Sequence, residues 1–215
     1  MATALPSPLY VILDPEVSRG RDSASMLEAV LAGGCRLVQL RDKRTPLADL
    51  YPLAAALSAR CREAGALFVV NDRADLALAV GAGGLHVGQD DLPAAAARRL
   101  LPAGMVLGVS THGAEQARRA LADGADYVAV GSIFPTGTKT GFHLVGVEMV
   151  RKLRAEIPVP LVGIGGITAD NAAGVVTAGA DAVAVISAVC AAADPEAATR
   201  ELMARLTAAL AGRRP

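Results

Sequence analysis

LVQLRDKRTPLADLYPLAAALSARCREAGALFVVN, residues 37 to 71, holds one complete architectural unit. A short run of Val and Leu ends in a charged cluster; an alanine-rich stretch (46–65) follows, with apolar residues at helical spacing; LFVVN begins just after Gly65. Strands that read as unbroken apolar runs are covered on both faces, and an amphipathic helix supplies such a cover. A helix between two strands is also the crossover that lets the second strand lie parallel to the first. The glycine at the helix end suits the position just past a C-cap.

The same unit recurs in both directions. LYVIL (9–13), LVQLR (37–41), LFVVN (67–71), LHVG (85–88), VLGVS (106–110), YVAVG (127–131), LVGIG (161–165) and AVAVIS (182–187) are eight candidate strands, separated by amphipathic stretches such as AEQARRALADGA (114–125). Eight units in 215 residues predict a closed barrel, a single (β/α)8 TIM barrel domain over 1–215 with its core at about 8–210, in preference to an open doubly wound sheet.

Charge narrows the partners. With 21 basic and 21 acidic side chains, no overall field draws the chain to nucleic acid or an anionic membrane, and small-molecule partners are expected. Cys35, Cys61 and Cys190 are an odd number in aliphatic settings, without metal-ligand or disulfide spacing, which suits a reducing compartment. The opening MATALPSPLY lacks the charged segment and apolar run of a signal or transit peptide. The most apolar segment, 172–193, is broken by Gly174, Gly179 and Asp181, which argues against a membrane span. A cytoplasmic location is expected. The sequence leaves room for a homo-oligomer, because an interface on outer helices resembles any other apolar stripe.

In such barrels chemistry collects at the C-terminal ends of the strands, and phosphate sites commonly form after strands seven and eight. Strand two ends in QLRDK, with Gln39 and Arg41 on one face of an extended chain and Lys43 just beyond. The simpler reading pairs Arg41 and Lys43 with Asp42 and surface acids. Lysine is scarce here, three against eighteen arginines, so lysines at two strand ends, Lys43 and Lys139, are not generic solubilising residues. Strand three ends in Asn71 and Asp72, and strand four is followed by GQDD, which brings Asp90 and Asp91 to the neighbouring corner. Magnesium takes one or two carboxylates with phosphate oxygens and keeps several waters. One aspartate of the GQDD pair is therefore expected beside Asp72 as a ligand, and the other as cap of a helix starting near Pro93. Asp72 and Ser110 are also candidate caps for the helices that follow them. His86, inside an aliphatic strand, reads as a hydrogen-bonded core histidine; His112 is open to either role, and His143 reads as solvent-facing.

Strand six leads into IFPTGTK (133–139), where Thr136, Thr138 and Lys139 fall on a loop over the mouth and Gly137 grants backbone freedom, a flap suited to closing on an anion. Strand seven ends GIGGIT, where Gly165 and Gly166 let backbone amides approach a ligand before a helix beginning around Asp170. Strand eight ends at Ile186 and Ser187. Two anion sites result. One, after strands seven and eight, is built from backbone and suits a monophosphate. The other combines Arg41, Lys43, Lys139 and Ser110 with one magnesium ion (Mg2+) held by Asp72 and Asp91, and its positive charge suits a pyrophosphate.

QLRDK, NDRADLA, GLHVGQDDLP, LGVSTH, FPTGTK, GIGGIT and AVAVIS, in this order over nearly the whole chain, resemble the thiamine phosphate synthase family. The resemblance implies a transferase that condenses 4-amino-2-methyl-5-hydroxymethylpyrimidine diphosphate with a thiazole phosphate, giving thiamine monophosphate and pyrophosphate. It implies that Gln39 to Lys43, with Asn71, Ser110 and Lys139, bind the pyrimidine diphosphate, and that Arg41, Lys43, Ser110 and Lys139 carry catalysis. Asp72 and Asp91 match the family's magnesium ligands. Thr136, Thr138, Gly166, Ile186 and Ser187 match positions that hold the thiazole phosphate. TGFHLVG, after Lys139, departs mildly from the family pattern.

Two rival readings remain. A thiazole tautomerase shares the barrel and a histidine after strand five, like His112 here, as proton carrier; this chain resembles it less, because Asn71, Asp72, Asp91 and FPTGTK are present. A barrel that binds thiamine precursors without turning them over would need neither the paired aspartates nor both lysines.

Overall fold

The computed structural model describes residues 4–137 and 144–213. Thr138, Lys139 and His143 lie outside the described residues. Eight strands, β1 (Leu9–Leu13), β2 (Leu37–Leu40), β3 (Leu67–Asn71), β4 (Gly84–Val87), β5 (Val106–Thr111), β6 (Tyr127–Val130), β7 (Leu161–Ile164) and β8 (Ala182–Val185), pair in parallel and in chain order. β8 closes on β1 through Leu9 opposite Val183 and Val11 opposite Val185, so the sheet is a barrel and the open alternative is excluded. The crossovers carry α1 (Ser23–Ala32), α2 (Leu47–Glu63), α3 (Ala74–Ala79), α4 (Ala94–Leu100), α5 (Ala114–Ala122), α6 (Gly146–Glu156) and α7 (Ala172–Thr177); α8 (Ser187–Cys190) and α9 (Pro195–Gly212) follow β8.

Local chemistry sets these limits. Asp22 caps α1 by accepting from the Ala24 and Ser25 N–H groups at 3.0 and 2.9 Å. Asp194 does the same for α9 at Ala197 N–H, with Pro195 in the first turn. α2 stops where Gly65 turns left-handed at φ 65°, which lets Ala66 N–H reach back to Cys61 O at 2.8 Å.

Alternation along each strand divides the core into two layers. Leu9, Val11, Leu13, Val38, Val70, Leu85 and their equivalents face outward to the helices; Tyr10, Ile12, Leu37, Val69, Val106, Tyr127, Val162 and Ala184 fill the barrel interior. The inward parity runs up to the strand ends at Asn71, His86, Ser110 and Ile164 and just past them at Asp14, Arg41 and Ile186, which the register brings to one mouth.

The opposite, N-terminal rim is braced twice by one device. Asp126 Oδ2 accepts Leu107 N–H at 2.8 Å and Arg98 Nη1 at 3.0 Å; Asp181 Oδ2 accepts Leu161 N–H at 2.8 Å and Arg154 Nη1 at 2.7 Å. Gly124 and Gly179 lie under the two arginine stems, where an added Cβ would come within 2.9 and 2.7 Å of Cγ. Among the described residues no helix is long and apolar enough to cross a membrane.

Candidate active site

The mouth divides by what lines it. On the β1 to β5 side the lining is charged. Arg41 N–H continues the ladder to Leu13 O at 2.9 Å, and its guanidinium contacts the Asp14 carboxylate, which is only 2% exposed. A buried carboxylate needs such a partner, because desolvation without one costs several kcal/mol, so Asp14 fixes where Arg41 stands. Lys43 Nζ lies 3.0 Å from Asp72 Oδ2. Asp72 adopts φ 60°, a left-handed conformation that Asp tolerates better than most residues, and Asp72 N–H donates to His86 O at 2.8 Å.

Asp72 and Asp91 meet side chain to side chain. Burial, and then the hydrogen bond with Asp91, hold the Asp72 carboxyl above its ordinary value despite Lys43. Asp91 is also partly buried, but its bond from Asp72, Gly88 N–H at 2.7 Å, and the nearby Lys43 hold it below the ordinary value. Two carboxylates in contact cannot both ionise cheaply unless a cation joins them. The donor set is two carboxylates, and among the described residues no group of three or more His, Cys, Asp or Glu could hold a metal. That excludes an all-protein cage there but fits magnesium, which takes one or two carboxylates and completes its shell with water and phosphate.

Between the two sides a hydrogen-bonded chain crosses the barrel interior. Gln39 Nε2 donates to Tyr10 OH at 2.6 Å, Tyr10 OH lies 2.9 Å from Tyr127 OH, Tyr127 OH lies 2.8 Å from His86 Nδ1, and His86 Nε2 lies 2.8 Å from Ser110 Oγ. His86 is thus a hydrogen-bonded core histidine, as expected.

On the β6 to β8 side the lining is backbone. Ile133 N–H donates to Ile164 O at 2.9 Å and Phe134 N–H to Gly165 O at 3.0 Å, which seats the loop carrying Thr136 against the end of β7. Gly165 and Gly166 have φ of 101° and 63°, and a Cβ on Gly166 would sit 2.3 Å from Pro135 O. The two glycines therefore make room for that loop. Ile186 and Ser187 open α8, with Ile186 O accepting Cys190 N–H at 2.8 Å. His112, on the β5–α5 loop, is held by Nδ1 donating to Gly131 O at 2.6 Å.

Several sequence expectations need correction. Arg41 and Lys43 do not pair with Asp42, which instead accepts the Arg44 and Thr45 N–H groups at 2.9 Å; their partners are Asp14 and Asp72. Neither Asp90 nor Asp91 caps α4: Pro93 occupies that position without a side-chain bond, and Asp91 turns back to Gly88. Asp72 does not cap α3 and Ser110 does not cap α5, whose N-caps are Arg73 and Gly113. α7 begins at Ala172, after Asn171. Sequence reading missed Asp14, Tyr10 and Tyr127. Asp14 could have been found, since it ends LYVILD with the parity of Arg41 on the adjacent strand.

Comparison with known proteins places this geometry. The family model described as thiamine monophosphate synthase matches residues 9–189. A thiamine-phosphate synthase of Moorella thermoacetica is 50% identical over 202 residues, covering 94% of this chain and 96% of that protein. One of Methanoculleus marisnigri is 48% identical over 204 residues, covering 94% and 97%. Among solved structures, thiamine phosphate pyrophosphorylase from Pyrococcus furiosus superposes with a TM-score of 0.88 at 38% identity, covering 94% of this chain and 96% of that one.

Proposed function

The chain belongs to the thiamine monophosphate synthase family and is a transferase that forms thiamine monophosphate; we propose that it does so by joining a pyrimidine diphosphate to a thiazole phosphate at the C-terminal mouth of the barrel. What supports the assignment of the site is that Arg41, paired with Asp14, and Lys43, 3.0 Å from Asp72 of the Asp72–Asp91 pair, follow the C-terminal end of β2 beside β1 and β3. A monophosphate needs less charge than that; a departing diphosphate needs all of it.

In the proposed reaction the bond between the pyrimidine's methylene carbon and the diphosphate oxygen breaks, and its electron pair leaves on the pyrophosphate. The electron-rich aminopyrimidine ring stabilises the methylene cation, and the thiazole nitrogen's lone pair forms the new C–N bond. No protein nucleophile is consumed. Arg41, held by Asp14, and Lys43, held by Asp72, present fixed positive charge to the pyrophosphate oxygens; Ser110 and Asn71 donate beside them. One magnesium ion, held by Asp72 and Asp91, adds positive charge at the same oxygens when bound. Gln39 orients the pyrimidine. Thr136, Gly166, Ile186 and Ser187 hold the thiazole phosphate, so that the two partners meet in attacking orientation. Thr138 and Lys139 are assigned on sequence alone, to the thiazole phosphate and the leaving group respectively.

Mixing both substrates with magnesium and following pyrophosphate release and thiamine phosphate formation tests the reading. Lys139→Ala should lower turnover about 100-fold, the scale of one lost preorganised contact, with unchanged thermal unfolding. Near-normal turnover would remove the flap from the mechanism. Thiazole rearrangement without coupling, or saturable binding without either reaction, would replace the proposal.

A further inference from the structure

We infer that Tyr10, Tyr127 and His86 form a one-way hydrogen-bond relay that makes Gln39 an acceptor and Ser110 a donor toward the ligand in the mouth. The three are positioning residues: they lie beneath the site and act through its two ends. The inference rests on the proposed roles of Gln39 and Ser110 and adds what fixes the polarity of each.

The direction follows from the face of the Gln39 amide that meets Tyr10, its Nε2. Tyr10 is 1% exposed, and its hydroxyl has two partners, Gln39 Nε2 and Tyr127 OH. The Gln39 amide N–H can only donate, so Tyr10 oxygen accepts, and the Tyr10 proton finds an acceptor only at Tyr127. An unmade bond from a buried hydroxyl costs about 1–3 kcal/mol, which disfavours the reverse arrangement at this step. Tyr127, fully buried, then passes its own proton to its remaining partner, His86 Nδ1. A neutral imidazole accepting at Nδ1 carries its hydrogen on Nε2, which donates to Ser110 Oγ. The Ser110 hydroxyl proton is left for the ligand. At the other end, no buried side-chain nitrogen or oxygen lacks a partner. Gln39 Oε1, bonded to none of the described residues, therefore keeps accessible surface and presents a lone pair.

The scaffold reserves space for this chain. A Cβ on Gly108 would lie 2.0 Å from Tyr127 Cζ, so β5 carries no side chain where the ring passes. The ring stacks on His86 with centroids 5.5 Å apart and meets Tyr10 edge-on at 6.1 Å. Burial raises both phenols above their ordinary value, so each keeps the single proton that the relay requires. An aminopyrimidine diphosphate offers an amino donor to the Gln39 acceptor and phosphate oxygens to the Ser110 donor, so a mouth with one fixed acceptor and one fixed donor can tell its two ends apart.

The test reads the His86 tautomer in nitrogen-15-labelled protein at mildly alkaline pH without ligand, from long-range proton–nitrogen correlations assigned with His86→Gln. Hydrogen on Nε2 alone is expected; hydrogen on Nδ1, or on both nitrogens, overturns the relay. Gln39→Glu replaces the donor at the chain's start with an ionised acceptor and should move the hydrogen to Nδ1. Tyr10→Phe cuts the chain, so the same Gln39→Glu change should no longer move it; a tautomer that still moves overturns transmission through Tyr10. Circular dichroism checks folding, and Tyr127→Phe substitutes if Tyr10→Phe does not fold. Kinetically, Tyr10→Phe should raise KM for the pyrimidine diphosphate about 10-fold, one hydrogen bond's worth, and leave KM for the thiazole phosphate unchanged. An unchanged KM for both would show that the relay does not serve the ligand. The tautomer needs no substrate, so a failure of the proposed reaction would leave that arm standing.

Discussion

The two rims of the barrel both carry pairs of a basic side chain with aspartate, and the pairs differ in kind. At the N-terminal rim the arrangement is made twice, Arg98 with Asp126 and Arg154 with Asp181, and each aspartate also takes a backbone N–H from a neighbouring strand. Every charge there is answered by the scaffold. At the C-terminal rim Arg41 with Asp14 and Lys43 with Asp72 follow no common plan, and Asp72 is pressed against a second carboxylate, Asp91. A pairing repeated around a symmetric fold braces the fold; one that presses two carboxyl groups together suits the proposed cation, which the chain does not itself supply.

Asp72→Asn or Asp91→Asn should therefore show the largest effect. Each removes one carboxylate from the pair, and turnover should fall by about 100-fold or more, the scale of a lost preorganised electrostatic contact, while the unfolding midpoint stays near that of the parent. Chelation should abolish wild-type activity and added magnesium restore it. If either variant turned over normally, the C-terminal pair would be bracing like the other and the contrast would fail.

Arg154→Ala makes the reciprocal change. It strips one partner from Asp181, less than one-third exposed, and frees the carbonyl of Val159, which it bonds at 3.2 Å. Stability should fall by about 1–3 kcal/mol, as for a partly buried polar group left unpaired, measured by denaturant unfolding. Turnover per folded molecule should not change. A fall in turnover without a fall in stability would carry chemistry to the wrong rim.

The same contrast explains what the sequence made legible. The strands were readable because each is covered on both faces: LYVIL and LFVVN coincide with β1 and β3 residue for residue. Closure followed from the count of units. The charged corner was readable through residue type, since few structural needs place Asn71-Asp72 and GQDD after consecutive strands. Its actual pairings were not, because Arg41 chooses Asp14 over the adjacent Asp42 through a contact across the sheet, and Asp42 is already engaged in its own turn. Tyr10 and Tyr127 were hidden for a similar reason: within LYVIL and YVAVG they look like ordinary interior fillers, and their hydroxyls meet only after the barrel closes.

The wall between the rims offers the smallest effect and the finest test of whether chemistry is confined to one end. Its thiols are sealed: Cys35 Sγ donates to Leu9 O at 3.1 Å and Cys190 Sγ to Ile12 O at 3.3 Å, while burial pushes Cys61 up to about 12 and Cys190 up to about 11 from an ordinary 9.0. A folded value above the unfolded one means that the fold favours the protonated thiol. The contribution is whole below about pH 9 and is lost above it, with a slope of roughly 1.4 kcal/mol per pH unit for each such thiol. Tyr10 and Tyr127 steepen the loss only at still higher pH, and Cys61→Ala isolates the thiol's share by flattening the curve between 9 and 12. Activity near neutrality should not respond to that substitution, and a thiol reagent should label all three cysteines in denaturant but none in the native protein. Labelling of the native chain that also stopped turnover would mean that the wall communicates with the mouth, and the division of labour between the rims would have to be redrawn around it.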